Sequence, residues 1–441
     1  MGLKVGIRRE DMYTWERRAP LVPGDLAELA STHGYEFVVQ SSTKRAFTDA
    51  EYRDAGIAIF DSLENCPLII GLKEVPVDVL EAGKAYVYFS HVIKGQPANM
   101  PMLRRALDLR CTILDYEKIA DEEGRRLIFF GNYAGLAGAI NTLWALGKRL
   151  AWEGIETPLA EIRQASTYAD LAEAKAAIAA VGKRIAKEGL PEEISPLVIG
   201  VAGYGNVSKG AQEILELLPI TETSPVALLA GALESESGMP MTKVVFREAD
   251  TVLPLVDGKP FELQEYYDHP ERYRAAFSRY LPRMHALLNC IYWEPRYPRL
   301  VTKEDIRALY GDGQPKLRAI GDISCDVEGA VEVTVKATEP DDPIYVIDPE
   351  TLDLSPGVEG RGPVMMAVDI LPTELPRESS AYFSHILKGF VPAIVSADYA
   401  VDFASLDLPP ELKRAVICHR GELTPDYRYI RTYLGSAPAE L

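Results

Sequence analysis

Apolar residues along this chain fall into short unbroken runs, separated by stretches where they recur at helical spacing, the alternation of buried strand and amphipathic helix that builds an α/β fold. The clearest run, Leu197-Val-Ile-Gly-Val-Ala202, meets glycines at Gly203 and Gly205 and passes straight into a segment with Val207, Ala211, Ile214, Leu215 and Leu218 on one face. This predicts a strand, a tight turn and a helix start. Lys4-Val-Gly-Ile7 predicts a first strand, followed by a basic turn over 15–23 and a helix from about Gly24. Apolar runs at 35–40, 66–73, 85–91 and 111–117 predict further strands, with a helix near 97–109 between the last two.

Residues 131–146 predict most of a long helix whose glycines and alanines permit close packing, a candidate hinge between domains. An alanine-rich amphipathic helix is expected over 168–188. Beyond the glycine turn, 266–273 reads as helical and polar, 286–293, 316–326 and 364–370 as buried strands, and 379–397 as a helix. The stretch 221–241 gives no clear pattern, and the short pieces after Pro409 are expected to fold back onto the first domain. Topology suggests a discontinuous substrate or catalytic domain of residues 1–140 and 366–441, and a dinucleotide-binding domain of residues 141–365.

Composition narrows the function classes. The chain has 441 residues, 47% of them hydrophobic, enough for more than one core. Its formal charge of −18 argues against nucleic acid or an anionic membrane as partner. An anionic substrate therefore needs a local cluster of arginines. No window approaches the ~18 apolar residues of a membrane span, and the start does not read as a signal peptide, so a cytoplasmic protein is expected. The five cysteines are scattered without a C-x-x-C pair and read as reduced core thiols. No metal site is expected.

The chemistry gathers at strand ends. A strand, glycine turn and helix start bring backbone N–H groups to a pyrophosphate at the positive end of the helix, although Ser208 stands where a third glycine would be and Gly210 follows it; a βα turn that binds nothing is the alternative. Lys73, His91 and Glu117 fall at the carboxyl ends of successive apolar strands, where doubly wound folds form their ligand crevice. Arg17, Arg18, Arg125 and Arg126 lie in loops beside them, and guanidinium forks suit carboxylates. Taken singly, a strand-end lysine is a solvated residue and a lone histidine a packed one. Together, Lys73 and His91 read as an acid/base pair. The other histidines (His33, His269, His285, His385, His419) read as structural.

As a set these residues are recognisable. Arg8-Arg-Glu-Asp11, Trp15-Glu-Arg-Arg-Ala-Pro-Leu21, Ile70-Gly-Leu-Lys-Glu74, Phe89-Ser-His91, Leu114-Asp-Tyr-Glu-Lys118, Tyr133-Ala-Gly-Leu-Ala-Gly138, Gly203-Tyr-Gly-Asn-Val-Ser-Lys-Gly-Ala211, Asn289-Cys-Ile-Tyr-Trp-Glu294 and Gly321-Asp-Ile-Ser-Cys-Asp326 span nearly the whole chain. In that order they resemble the lysine-ketoglutarate reductase half of aminoadipic semialdehyde synthase, the L-lysine-forming saccharopine dehydrogenase type, in the alanine dehydrogenase and transhydrogenase-like superfamily. The resemblance implies two Rossmann-like doubly wound domains with an interdomain cleft.

It also implies a reversible reductive condensation of L-lysine with 2-oxoglutarate to saccharopine, using NADPH. In that reading Lys73 and His91 are the acid/base pair. Glu16, Glu74 and Glu117 tune their charge, and Arg18 and Arg126 bind substrate carboxylates. Gly203, Tyr204, Gly205, Asn206, Val207 and Ser208 form the cofactor phosphate site, and Asp322 and Asp326 line the cleft. The acid that holds an NAD ribose about 20 residues past the glycines is not evident. Glu222 or Ser224 offer themselves there, so NADP(H) is favoured with NAD(H) possible. A separate saccharopine-cleaving enzyme would complete the pathway, and a homo-oligomer is possible. The rivals are a dehydrogenase of another amino acid, of alanine dehydrogenase or opine type, and a non-catalytic nucleotide or lysine sensor.

Overall fold

The apolar runs become strands that are buried on both faces, as a parallel sheet covered by helices requires. A computed structural model describes residues 4–231, 239–311, 313 and 315–435. Its strands begin with β1 (Lys4–Ile7), β2 (Glu36–Gln40), β3 (Ala58–Phe60), β4 (Leu68–Ile70), β5 (Ala85–Tyr88) and β6 (Thr112–Asp115). They continue with β7 (Leu197–Ala202), β8 (Ile220–Thr223), β9 (Met241–Phe246), β10 (Val252–Pro254), β11 (Tyr273–Ala275) and β12 (Ala286–Asn289). The last are β13 (Ala319–Asp322), β14 (Ile344–Ile347), β15 (Leu354–Pro356), β16 (Val364–Met366), β17 (Val416–His419) and β18 (Glu422–Leu423).

The chain divides into two units, Met1–Phe130 with Pro376–Leu441, and Gly131–Leu375. The first unit holds one sheet in the order β18-β17-β6-β5-β4-β1-β2-β3. Strands β1 to β6 are all parallel, and β17 and β18 add antiparallel strands at the β6 edge. That return covers an edge that would otherwise expose unpaired backbone. The chain leaves β1 for β2 on one side and reaches β4 on the other. Between β1 and β4 the winding therefore reverses, and the carboxyl ends of these two strands flank the crevice where open α/β sheets bind ligands.

The second unit is also wound around parallel strands, in the order β15-β14-β16-β13-β12-β7-β9-β8. Strands β14 and β15 are the antiparallel edge, and β10 and β11 form a separate antiparallel ribbon. Here the second strand does not lie beside the first: β9 pairs with β7, and β8 is displaced to the edge.

The helix Gly131–Trp152 and the helix Asn206–Leu215 touch at backbone distance. A Cβ on Gly135 would stand 1.9 Å from the Val207 carbonyl oxygen, and one on Gly210 would stand 2.1 Å from that of Asn132. These glycines are required by the approach itself.

Several elements differ from the sequence expectation in their limits. The amphipathic helix starts at Leu171, because the Asp170 side chain caps it by accepting from Glu173 N. The polar helix ends at Asp268, and Tyr273 instead opens β11. The expected helix at 379–397 is two, Pro376–Lys388 and Val391–Ser396, parted where Gly389 and Pro392 weaken the ladder. The patternless stretch 221–241 contains β8 and the short helix Pro225–Ala230, and part of it lies outside the described residues. All five cysteines are buried and free. Among the described residues no helix is long and apolar enough to cross a membrane, and no group of side chains has the makings of a metal site.

Candidate active site

In the first unit the loops after β1, β4, β5 and β6 bring their charged residues together. Past β1, Glu10 turns back into the protein and accepts from Leu72 N (2.8 Å) and Lys73 N (2.9 Å). One buried carboxylate thus fixes the backbone on which Lys73 and Glu74 stand. Burial pushes the Glu10 carboxyl up to about 7, against the pull of Arg8. Arg8 in turn pairs with Asp11 at 2.5 Å and lies 3.7 Å from Glu10. The Lys73 side chain is half-buried, with Nζ 5.9 Å from the centre of the Tyr13 ring.

His91 sits past β5 with φ of 47°, a left-handed conformation rare for a residue with a side chain. Its ring stacks on Phe89 and its Nδ1 meets Glu74 Oε1 at 2.5 Å. Burial works to raise the Glu74 carboxyl, but the hydrogen bond and charge of His91, with Lys73 behind, hold it below the ordinary value. A carboxylate on Nδ1 fixes the neutral tautomer that carries its proton there, leaving Nε2 as the acceptor. The unusual turn has its own support. Asp115, fully buried at the end of β6, accepts from Ser90 N at 3.2 Å, from the Ser90 hydroxyl, and from Glu117 N at 2.8 Å. Burial raises its carboxyl to about 6.

Both arginines expected to bind substrate carboxylates are paired with glutamates. Arg18, buried over the Phe130 ring at 4.2 Å, forks onto Glu16 with Nε to Oε1 at 2.8 Å and Nη2 to Oε2 at 2.6 Å. Burial would raise Glu16, yet this pairing keeps it charged and below its usual range. Arg126 donates through Nη2 to Glu117 Oε1, and its side chain is half exposed. Arg125 is solvated, bound to Asp121 and Glu123. Two carboxylates remain incompletely satisfied. Glu74 Oε2 and Glu117 Oε2 are buried and have no hydrogen-bond partner among the described residues.

In the second unit Gly203 adopts φ of 98° at the end of β7, and a Cβ on Gly205 would meet nothing within 4 Å. Tyr204, Gly205 and Asn206 are exposed, and the helix Asn206–Leu215 starts without a side-chain cap. The N–H groups of its first turn, including that of Val207, therefore point into open space, a cradle that accepts a phosphate. The pyrophosphate of a nicotinamide dinucleotide fits this loop.

Other expected cofactor residues are placed differently. Ser208 is fully buried, and its hydroxyl accepts from Gln212 Nε2, so only its backbone faces the loop. Ser224 caps the helix Pro225–Ala230 by accepting from Ala227 N, one strand removed from β7, and Glu222 pairs with Lys243. Asp322 is buried at the end of β13, accepting from Asn289 Nδ2 (2.8 Å) and the Thr334 hydroxyl (2.6 Å). There it ties two strand ends together and does not line an open surface. Asp326 is exposed on the following loop.

Glu10 and Asp115 hold the site's loops, yet the sequence reading gave them no role. Both were visible as acids just past or at the end of predicted strands. What hid them is that they act on backbone, and no spacing rule reports that.

Two doubly wound units, one with charged side chains at its switch point and the other with an open glycine loop, define an α/β protein of the Rossmann-like fold. Residues 6–137 match the family model of the alanine dehydrogenase/PNT N-terminal domain. The chain is 40% identical to the alpha-aminoadipic semialdehyde synthase of Arabidopsis thaliana, over 99% of this chain and 42% of that protein. It is 35% identical to the mitochondrial alpha-aminoadipic semialdehyde synthase of Bos taurus, over 97% of this chain and 47% of that protein. A Candida glabrata saccharopine dehydrogenase, named as NAD(+) and L-lysine-forming, is 27% identical over 84% of this chain and 87% of its own length.

Among solved structures, an L-alanine dehydrogenase superposes with TM-score 0.62 at 15% identity, covering 98% of this chain and 100% of that one. A transhydrogenase from Sinorhizobium meliloti gives 0.57 at 14% identity, covering 96% of this chain and 100% of that one. The chain is thus similar along nearly its whole length to the aminoadipic semialdehyde synthases, and it shares the fold of alanine dehydrogenase and transhydrogenase. It spans less than half the length of those two synthases.

Proposed function

We propose that this chain catalyses the reversible, NADPH-dependent condensation of L-lysine with 2-oxoglutarate to saccharopine. The observation that carries the reading is the pair of buried, unpartnered oxygens on Glu74 and Glu117. A buried acceptor left unmade costs about 1–3 kcal/mol, and more when it is charged. A substrate ammonium carries three donors and a positive charge, and so satisfies what this chain leaves open.

The residues supply the steps. A lysine ε-amine has a reference pKa of ~10.4, so it arrives protonated and cannot attack a ketone until a base takes its proton. His91 Nε2 is that base, and Glu74 on Nδ1 stabilises the imidazolium that results. Lys73, set on backbone anchored by Glu10, faces the developing charge on the keto oxygen. As the C–N bond forms, a nitrogen proton passes to the keto oxygen. The proton held by His91 is then returned to the resulting hydroxyl, which leaves as water and gives the protonated imine. When bound, the dinucleotide supplies the hydride that reduces the C=N bond. Arg126, half exposed, retains N–H groups for a substrate carboxylate.

The test is a panel of NADPH with 2-oxoglutarate and lysine, alanine, ornithine or glutamate in turn. NADPH oxidation with lysine and formation of saccharopine are expected. Turnover with another amine and none with lysine would overturn the substrate assignment. Ligand-induced shifts in melting temperature without any turnover would make the chain a sensor.

A further inference from the structure

The strand order of the second unit relocates the dinucleotide's adenosine end. In open sheets of this kind the adenosine ribose lies at the end of the strand next to the glycine strand. Here that neighbour is β9 and not β8. Beyond β9 come Arg247 and Glu248, far past the distance at which a ribose-binding residue is ordinarily sought. Arg247 is exposed, and its guanidinium lies over the ring of Tyr204 at 5.0 Å. Tyr204 stands between Gly203 and Gly205, so this contact brings the cation to the phosphate loop itself.

The charges near it are unequally committed. Lys243 on β9 is bound by Glu216, Glu222 and Gln212. Glu248 accepts from the Tyr267 hydroxyl at 2.8 Å and the Tyr204 hydroxyl at 3.3 Å. Asp250 accepts from the Arg247 backbone N–H at 2.9 Å. Among the described residues the Arg247 guanidinium has no carboxylate partner. A planar cation stacked on an aromatic face keeps its edge N–H groups free, the geometry that takes a phosphate bidentately.

We propose that Arg247, oriented by Tyr204, binds the 2′-phosphate of the adenosine ribose and selects NADP(H) over NAD(H). The inference rests on the dinucleotide reading of the glycine loop and adds to it the residue that reads the phosphate. Glu248 is the counterweight. A carboxylate at a strand end accepts ribose hydroxyls and repels a phosphate, and its hold on two phenols directs it toward Tyr204.

The test is equilibrium binding by the full-length chain, read from the fluorescence of NADPH and of NADH, with 2′-phospho-ADP-ribose and ADP-ribose titrated calorimetrically. The wild type should prefer the phosphorylated member of each pair, more strongly at low salt than at high salt. Arg247→Ala should weaken NADPH and 2′-phospho-ADP-ribose by roughly tenfold to a hundredfold, the worth of hydrogen bonds to a charged group, and leave NADH and ADP-ribose unchanged. Arg247→Lys should recover part of the loss. Because the side chain is exposed, the unfolding midpoint should not move.

A wild type that prefers NADH, or an Arg247→Ala variant that loses both dinucleotides equally, overturns the inference and leaves the dinucleotide site and the reaction standing. No binding of either dinucleotide overturns the functional reading itself, and this inference with it.

Discussion

The two sheets share a winding rule and use it in opposite ways. In the first unit, the strand ends at and beside the switch point carry Glu10, Lys73, Glu74, His91, Asp115 and Glu117, half of them buried, each held by another side chain or by backbone. In the second, the corresponding end of β7 carries no charge. Gly203 and Gly205 leave the backbone bare, and the nearby acid Asp322 is closed off by Asn289 and Thr334. On the proposed reading, the same architecture makes one site from side chains that move protons and another from N–H groups that hold an anion. Position comes from the sheet, and chemistry from what stands at the strand ends.

If that division is right, removing a proton-carrying side chain should leave dinucleotide binding intact. His91→Ala should lower kcat by about 10²–10⁴-fold, the usual worth of a positioned acid/base, with NADPH affinity within a factor of about two of wild type by fluorescence titration. Lys73→Met should behave alike. Glu74→Gln keeps a partner on His91 but removes its charge, so its loss in kcat should be smaller than that of His91→Ala. A fall in cofactor affinity matching the fall in rate would mean that the proton and dinucleotide functions are not separable.

The glycines divide the second unit in the same spirit. Gly210→Ala drives a methyl onto the Asn132 carbonyl, and Gly135→Ala drives one onto Val207. Each should cost ~3 kcal/mol or more, the upper range of overpacking, read as a lowered urea midpoint. Gly205→Ala meets no atom and keeps an ordinary φ, so folding should be unchanged while dinucleotide affinity falls, because its methyl occupies the cradle. Equal loss of stability in all three would show that Gly205 serves packing and not a ligand.

Much of this was legible in the sequence, for reasons that can be named. The runs of apolar residues around Val5, Leu68, Val87, Ile113 and Val201 became central parallel strands because burial on both faces leaves a continuous signature. Lys73, His91 and Glu117 stand out in the sequence as polar residues at the ends of such runs, and the structure sets His91 against Glu74, the neighbour of Lys73. What stayed hidden has a different character. Strand β3 is only three residues long, and although Ile57-Ala-Ile-Phe60 is apolar, the strand's own side chains stay largely exposed at the sheet edge, so the run is too short to mark a strand by itself. Glu10 and Asp115 act through backbone hydrogen bonds across the sheet. The pairing of Arg18 with Glu16 was within reach, two residues apart, yet spacing does not say whether an arginine faces a neighbour or a substrate. The swap of β8 and β9 could not be read at all, since strand order is a property of the folded sheet, and it is the reason our proposal seeks the ribose at Arg247 and not at Ser224.

The smallest expected effect is on the pH dependence of stability, where one group in each unit pulls in an opposite direction. Glu10 is raised by burial from 4.5 to about 7. A carboxyl whose folded value is raised contributes stability that is fully present below its unfolded value and lost as the pH climbs through the folded one. Glu10→Gln gives up one of two acceptors at every pH, so its deficit against wild type should narrow between about pH 4.5 and 7, as the wild type pays for ionising. His285, whose Nδ1 accepts from Val198 N, is lowered by burial from 6.5 to about 3, with Arg318 and Lys316 adding to the shift. Its contribution is present above 6.5 and lost as the pH falls toward 3. His285→Asn keeps an acceptor for Val198 and removes the titration. Its deficit should therefore narrow in acid, where that of Glu10→Gln is widest. Urea midpoints taken between pH 4 and 8 check both signs, and two deficits that narrow in the same direction would contradict the assignment of either burial.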